Sequence, residues 1–154
     1  MPRANFLPDD RPLVLAHACA AILRDRAGLY LLQERDDIPG IWYPGHFALF
    51  GGAIEAGETP LAALRRELVE EIGIALDADR FEPSLRLDID LAGIGPRERH
   101  VYAATLEPAE IAALRLGEGA AMRWIDGDTA LTGLDLAPYD ALALFLHHRR
   151  ARIT

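Results

Sequence analysis

The stretch that decides the reading is Gly52-Ala53-Ile54-Glu55-Ala56-Gly57-Glu58-Thr59-Pro60-Leu61-Ala62-Ala63-Leu64-Arg65-Arg66-Glu67-Leu68-Val69-Glu70-Glu71-Ile72-Gly73-Ile74. Thr59 is a good N-cap, and Pro60 at the first helical position gives up no hydrogen bond. Leu61, Leu64, Leu68 and Ile72 recur at helical spacing and Gly73 supplies the stop, which predicts a helix beginning at Thr59-Pro60. At about 100° per residue, Glu67, Glu70 and Glu71 fall within an arc of roughly 100°, beside the apolar stripe rather than opposite it. Like charges at such spacings destabilise a helix. Arg66 offers one compensating charge. A divalent cation would compensate far better, and an all-oxygen donor set favours Mg2+ or Mn2+ over zinc. The bland alternative is a solvated acidic face. Against it stands the lead-in: Phe50-Gly51-Gly52 brings a strand end into a glycine loop where backbone can approach a ligand closely, and Glu58 adds a carboxylate near the helix start.

Working outward, Leu13 to Leu23 is apolar and alanine-rich and reads as a buried strand, with a helix as the alternative. Arg24-Asp25-Arg26-Ala27-Gly28 reads as a hairpin turn and Leu29 to Gln33 as the returning strand. Asp36 to Gly45 is a Pro/Gly loop carrying Trp42 and Tyr43, and His46 to Phe50 a short strand. Downstream, Ser84 to Asp90 alternates strictly, the pattern of a half-buried strand. Arg99 to Leu106 is a further strand, Pro108 to Leu114 a short helix and Ala121 to Ile125 a last strand. Pro138 followed by Leu142, Phe145 and Leu146 gives a closing amphipathic helix. Residues 1–12, with Pro2, Pro8 and Pro12, form an irregular lead-in. One α/β domain over residues 1–154 is expected.

A chain of 154 residues can bury about 70% of its unfolded surface in one core. The net charge of −8 argues against gripping a nucleic-acid duplex, which needs a basic footprint. It permits small anionic substrates if a metal supplies positive charge locally. Cys19 is the single cysteine, which excludes an internal disulfide and a cysteine zinc site. No apolar run approaches the roughly 20 residues that span a bilayer, and Met1 to Phe6 has no secretory pattern. A cytoplasmic protein with no membrane partner is expected.

Residues 52–74 resemble the Nudix box, G-x5-E-x7-R-E-U-x-E-E-x-G-U with U aliphatic. Gly52, Glu58, Arg66, Glu67, Leu68, Glu70, Glu71, Gly73 and Ile74 fill every fixed position. The resemblance implies an α/β/α sandwich with a mixed central sheet, the box forming a loop-helix-loop. It implies hydrolysis of a nucleoside diphosphate linked to another moiety, with water attacking phosphorus. By position it implies Glu67, Glu70 and Glu71 as ligands of Mg2+ or Mn2+, the Gly51 carbonyl as a further ligand, and Arg66 and Glu58 as residues that orient the cluster. The chemistry agrees, since a diphosphate must be neutralised before water can attack and a carboxylate or metal-bound hydroxide can then take the proton. Which glutamate acts as base varies within the family. Glu118, in Leu116-Gly117-Glu118-Gly119, looks like the family's late loop glutamate. Glu98 is a second candidate, against a plain charged hairpin turn at Arg97-Glu98-Arg99.

Other residues say less. Trp42 and Tyr43 are placed to stack on a base or to pack locally. His17 reads as a core residue, His46 flanks the site strand, and His147 to Arg150 reads as a polar helix end. Cys19 reads as a small hydrophobe. Among Nudix subgroup signatures, those for NADH, coenzyme A, ADP-ribose and dinucleoside polyphosphates are missing, and Leu49-Phe50-Gly51-Gly52 replaces the commoner Leu-Pro-Gly-Gly. Nucleoside triphosphates, including damaged ones, and nucleotide sugars remain as small-molecule substrates. The resemblance also implies a homodimer. The competing class is a Nudix-fold ligand-binding or regulatory module without turnover. Such modules usually show eroded boxes, whereas here every box glutamate is kept.

Overall fold

In the computed structural model, which describes residues 12–154, strand β1 (Ala18–Arg24) is buried on both faces. Cys19, Ala21 and Leu23 enter one apolar cluster, and Ala20 and Ile22 enter another, as alternation along a strand requires. A strand enclosed this way reads as an unbroken apolar run, which is why periodicity left helix and strand open. The strand starts later than expected. Residues 13–17 have no regular structure and Val14 is exposed, because none of the three strands paired with β1 carries that pairing past Ala18.

The other strands are β2 (Tyr30–Glu34), β3 (Phe47–Ala48), β4 (Phe50–Ala53), β5 (Glu82–Leu91), β6 (Gly95–Thr105) and β7 (Ala121–Ile125). They form one sheet in the order β3-β2-β1-β6-β5, with β4 also on β1 and β7 also on β2. Only the β1–β6 pairing is parallel, so the sheet is mixed. Helices α1 (Pro60–Ile72) and α2 (Pro108–Ala113) cover one face, where Leu64, Leu68 and Ile72 pack with Phe50, Leu31 and Leu106. Helices α3 (Gly127–Gly133) and α4 (Pro138–Arg149) cover the other, where Ala130, Ala143 and Leu144 pack with Ile22, Leu32 and Leu49. The result is the expected α/β/α sandwich. No helix among the described residues is long and apolar enough to cross a membrane.

Helix α1 forms as its sequence specifies. The Ala62 N–H donates to Thr59 Oγ1 at 3.2 Å, and Gly73 ends the helix at φ 70°, its N–H returning to the last turn. Several other expectations need correction. The strand expected over His46–Phe50 is divided at Leu49 into β3 and β4. Strand β5 is mostly exposed rather than half-buried: it is an edge strand, and only Leu85 joins the core on that side. Arg97, Glu98 and Arg99 lie within β6, the turn falling earlier, between Leu91 and Gly95. In α4 the buried face is Asp140, Ala143, Leu144 and His147, while Leu142 and Phe145 are exposed. His147 is therefore a buried residue rather than part of a polar end, and its ring nitrogen meets the Tyr30 hydroxyl at 3.1 Å. His17 is exposed rather than core, its Nδ1 accepting from the Glu98 N–H. Helix α3 was not anticipated. The lead-in expected over residues 1–12 lies outside the described residues, Pro12 apart.

Candidate active site

Strand β4 and helix α1 meet at Gly51 and Gly52, the first required by contact with backbone and the second leaving room for the Glu67 carboxylate in its present place. A Cβ on Gly51, at φ 144°, would stand 2.1 Å from the Cys19 carbonyl oxygen. One on Gly52 would stand 2.6 Å from the Glu67 carboxylate. The Gly51 N–H donates to Glu71 Oε2 at 2.9 Å, which fixes that side chain under the strand at 5% exposure.

Arg66 gathers the other carboxylates. Its Nε and Nη2 form a two-pronged pair with Glu58 at 2.8 and 3.0 Å, and Nη1 reaches Glu67 Oε1 at 2.9 Å and Glu70 Oε2 at 3.3 Å. Nη2 also donates to the Ala53 carbonyl, and Glu58 accepts from the Glu55 N–H. Glu58 is thereby held far below the usual carboxylate range, at about 2, chiefly by the Arg66 hydrogen bond. Glu71 goes the other way. Burial pushes it up to about 8, the Gly51 N–H opposes this, and the charges of Glu67 and Glu118 push it further. Glu67 is raised too, first by burial. Glu118 is exposed on the loop between α2 and β7. That loop is tied to the end of α1 by the Gly117 N–H to the Glu71 carbonyl at 2.7 Å.

Among the described residues no three acidic, histidine or cysteine side chains are grouped so as to hold a metal ion as they stand. Arg66 occupies one oxygen each of Glu67 and Glu70, and Gly51 one oxygen of Glu71. The donor chemistry still fits a hard divalent cation. The side-chain donors are carboxylate oxygens, and the ionised form of Glu71 is disfavoured by burial, with no cation in contact among the described residues.

Gly51 and Gly52 also line a cavity of about 440 Å3. Trp42, Tyr43 and Tyr139 supply its aromatic wall, and Ile89 and Leu91 face it from β5. Trp42 Nε1 donates to the Val14 carbonyl at 3.0 Å, so the indole is packed locally while its ring borders the cavity. Tyr43 sits at φ 47°, a region that is costly for a bulky residue. Edge contacts to His46 and Tyr139, with centroids 5.5 and 5.4 Å apart, hold it there. His46 itself is buried, its Nδ1 on the Pro44 carbonyl, away from the cavity lining. Glu98 borders the cavity, but Arg86 and His100 engage its carboxylate at 2.9 and 2.8 Å. Cys19 is a buried small hydrophobe, its thiol pushed up to about 11 by burial.

The sequence reading missed Arg99, Tyr139 and Asp140. Asp140 is 2% exposed; its Oδ1 accepts from Arg99 Nη2 at 2.6 Å and its Oδ2 from the Leu49 N–H at 3.1 Å. The Arg99 guanidinium lies 4.2 Å from the centre of the Tyr139 ring. Its Nε is buried and meets no acceptor among the described residues, which costs about 1–3 kcal/mol. An aspartate in the first turn of a helix after Pro138 was the available signal, and nothing nearby in sequence named its partner.

A segment of this chain is 47% identical over 65 residues to nucleoside triphosphatase NudI of Escherichia coli, covering 42% of this chain and 44% of that protein. It is 41% identical over 69 residues to 8-oxo-dGTP diphosphatase of Haemophilus influenzae, covering 44% of this chain and 49% of that protein. These matches take in under half the length of the curated relatives. The crystal structure of a MutT NUDIX hydrolase from Burkholderia pseudomallei superposes with a TM-score of 0.67 at 29% identity, covering 84% of this chain and 95% of that one. The NUDIX domain family model matches residues 14–145, and with that extent, over a site built from an unbroken box, the chain belongs to the NUDIX family.

Proposed function

We propose that this chain is a divalent-metal-dependent pyrophosphohydrolase acting on nucleoside triphosphates. The observation that carries the reading is Glu71, a buried carboxylate with no cation in contact among the described residues, held under Gly51, which with Gly52 lines the cavity. Glu67, Glu70 and Glu71, with the Gly51 carbonyl, would hold Mg2+ or Mn2+. When bound, such an ion neutralises diphosphate oxygens and lowers the pKa of water. Glu58 and Arg66 keep the carboxylates oriented through the contacts described above. Glu118 is proposed as the base that takes the proton of the attacking water, since its charge bears on both Glu67 and Glu71. The cavity takes the nucleoside, its ring against Trp42 and Tyr43. The triphosphate class is favoured over nucleotide sugars because the two named relatives are a nucleoside triphosphatase and an 8-oxo-dGTP diphosphatase.

The test is release of phosphate or pyrophosphate from a panel of nucleoside triphosphates and nucleotide sugars, with and without Mg2+. Metal-dependent release from triphosphates is expected. Release from nucleotide sugars alone overturns the substrate class, and no release from any of them favours a binding module without turnover.

A further inference from the structure

Arg99 is the charged group at the cavity that the proposed reaction leaves unused. Its side chain is 15% exposed and lines the cavity. Two anchors fix its plane: Asp140 takes the Nη2 N–H at 2.6 Å, and the Tyr139 ring lies under the guanidinium at 4.2 Å. Both anchors are themselves held, Asp140 by the Leu49 N–H and Tyr139 by its edge contact with Tyr43. A guanidinium carries five N–H groups and no acceptor, so fixing it spends only part of its capacity. The Nε is buried and meets no described acceptor, so a donor offered to a ligand in the cavity is an Nη N–H. Two other arginines line the cavity, Arg35 with its Nε on the Trp42 carbonyl and Arg97 with its Nε on the Leu15 carbonyl, but Arg99 is the one fixed by both a carboxylate and an aromatic face among the contacts described.

The space beside this fork suits a flat ring rather than a second phosphate. Trp42, Tyr43 and Tyr139 line it together with Ile89 and Leu91, and the carboxylates of Glu98 and Asp140 also border it. We propose that Arg99 is the specificity-determining residue of the cavity, donating hydrogen bonds to a nucleobase that carries a carbonyl at purine position 6 or pyrimidine position 4. Guanine and uracil present an oxygen acceptor at purine position 6 or pyrimidine position 4. Adenine and cytosine present an amine donor there, and a donor facing a group that only donates is rejected. The inference rests on the reading that the cavity holds the nucleoside part of the substrate.

The experiment is calorimetric titration of the protein with GMP, UMP, AMP and CMP in the absence of divalent metal. None of these contains an anhydride, so binding is read apart from hydrolysis. GMP and UMP are expected to bind at least about tenfold more tightly than AMP and CMP, the scale of a charge-assisted hydrogen bond. Arg99→Lys keeps a cation opposite Asp140, and so the fold, but loses the planar fork. Its four affinities are expected to fall within about threefold of one another, less than one such bond is worth, with the melting temperature little changed. A wild-type protein that binds none of the four, or all four alike, overturns the proposal, as does an Arg99→Lys variant that keeps the preference. A preference for GMP and UMP in a protein that hydrolyses no nucleotide supports this inference and overturns the hydrolase reading alone.

Discussion

Glu71 and Asp140 are buried carboxylates that reach the same short segment from opposite layers of the sandwich. Glu71, from α1, accepts from the Gly51 N–H; Asp140, from α4, accepts from the Leu49 N–H two residues earlier. Burying a charge is costly unless a partner balances it. Asp140 has that partner in Arg99. Glu71 has none in contact, and Glu67 and Glu118 add like charge. The comparison separates two uses of one chemical group. The carboxylate paired with arginine fixes a donor at the cavity, although burial still raises its carboxyl above the ordinary range, while the one tethered only by backbone is the proposed cation ligand.

Substitution at each position tests the contrast at its strongest. Glu71→Gln should lower kcat by about 10²–10⁴. Metal-free stability should hold or rise, because glutamine has no ionised form to bury. Asp140→Asn should do the reverse at the level of the fold, with denaturant melts losing about 3–5 kcal/mol because Arg99 is left buried without its counter-charge. Equal stability losses in the two variants would break the distinction.

Metal and pH sharpen it further. A hundredfold excess of Mg2+ over its Kd should add about 2.7 kcal/mol to wild-type stability, and much less to Glu71→Gln. The sign of the pH effect follows from Glu71, raised to about 8 in the fold from an ordinary 4.5. Between those values the folded state holds more protons than the unfolded one, so metal-free stability falls as pH rises through that window. Melting curves between pH 5 and 8 should show this slope, and it should flatten in Glu71→Gln. The smallest effect is the control: Glu55→Gln lies in the box at an unspecified position and should change kcat by less than about threefold, within the ±0.5 kcal/mol typical of surface changes.

The difference between the two regions also explains what could be read from sequence. The carboxylate side is local: cap, stripe, stop and three glutamates occur within one helix, so spacing alone brings them together. The cavity is assembled from Arg35, Trp42, Ile89, Arg99 and Tyr139, which no periodicity connects. Helix α4 misled for a related reason. Binary patterning expects Leu142 and Phe145 inside, whereas the buried face carries Asp140 and His147, made tolerable by partners on β6 and β2. Strict alternation over Ser84–Asp90 marked two faces of β5 correctly but could not show that little covers either of them.

Chain order gives the parallel β1–β6 pairing a consequence in time. Ala18 pairs with Ala53 on one side and with Arg99 on the other. During synthesis, β1, β4 and α1 leave the ribosome well before β6, and α4 comes last. The helix that carries the glutamates can therefore begin to pack while Ile89, Arg99 and Tyr139 of the cavity are untranslated, and the second edge of β1 stays open to wrong pairing until β6 arrives. Closing that edge depends on a contact between distant parts of the chain, the slow kind of step. Refolding from denaturant should accordingly be limited by docking of the β5–β6 ribbon rather than by formation of the helix that carries the glutamates.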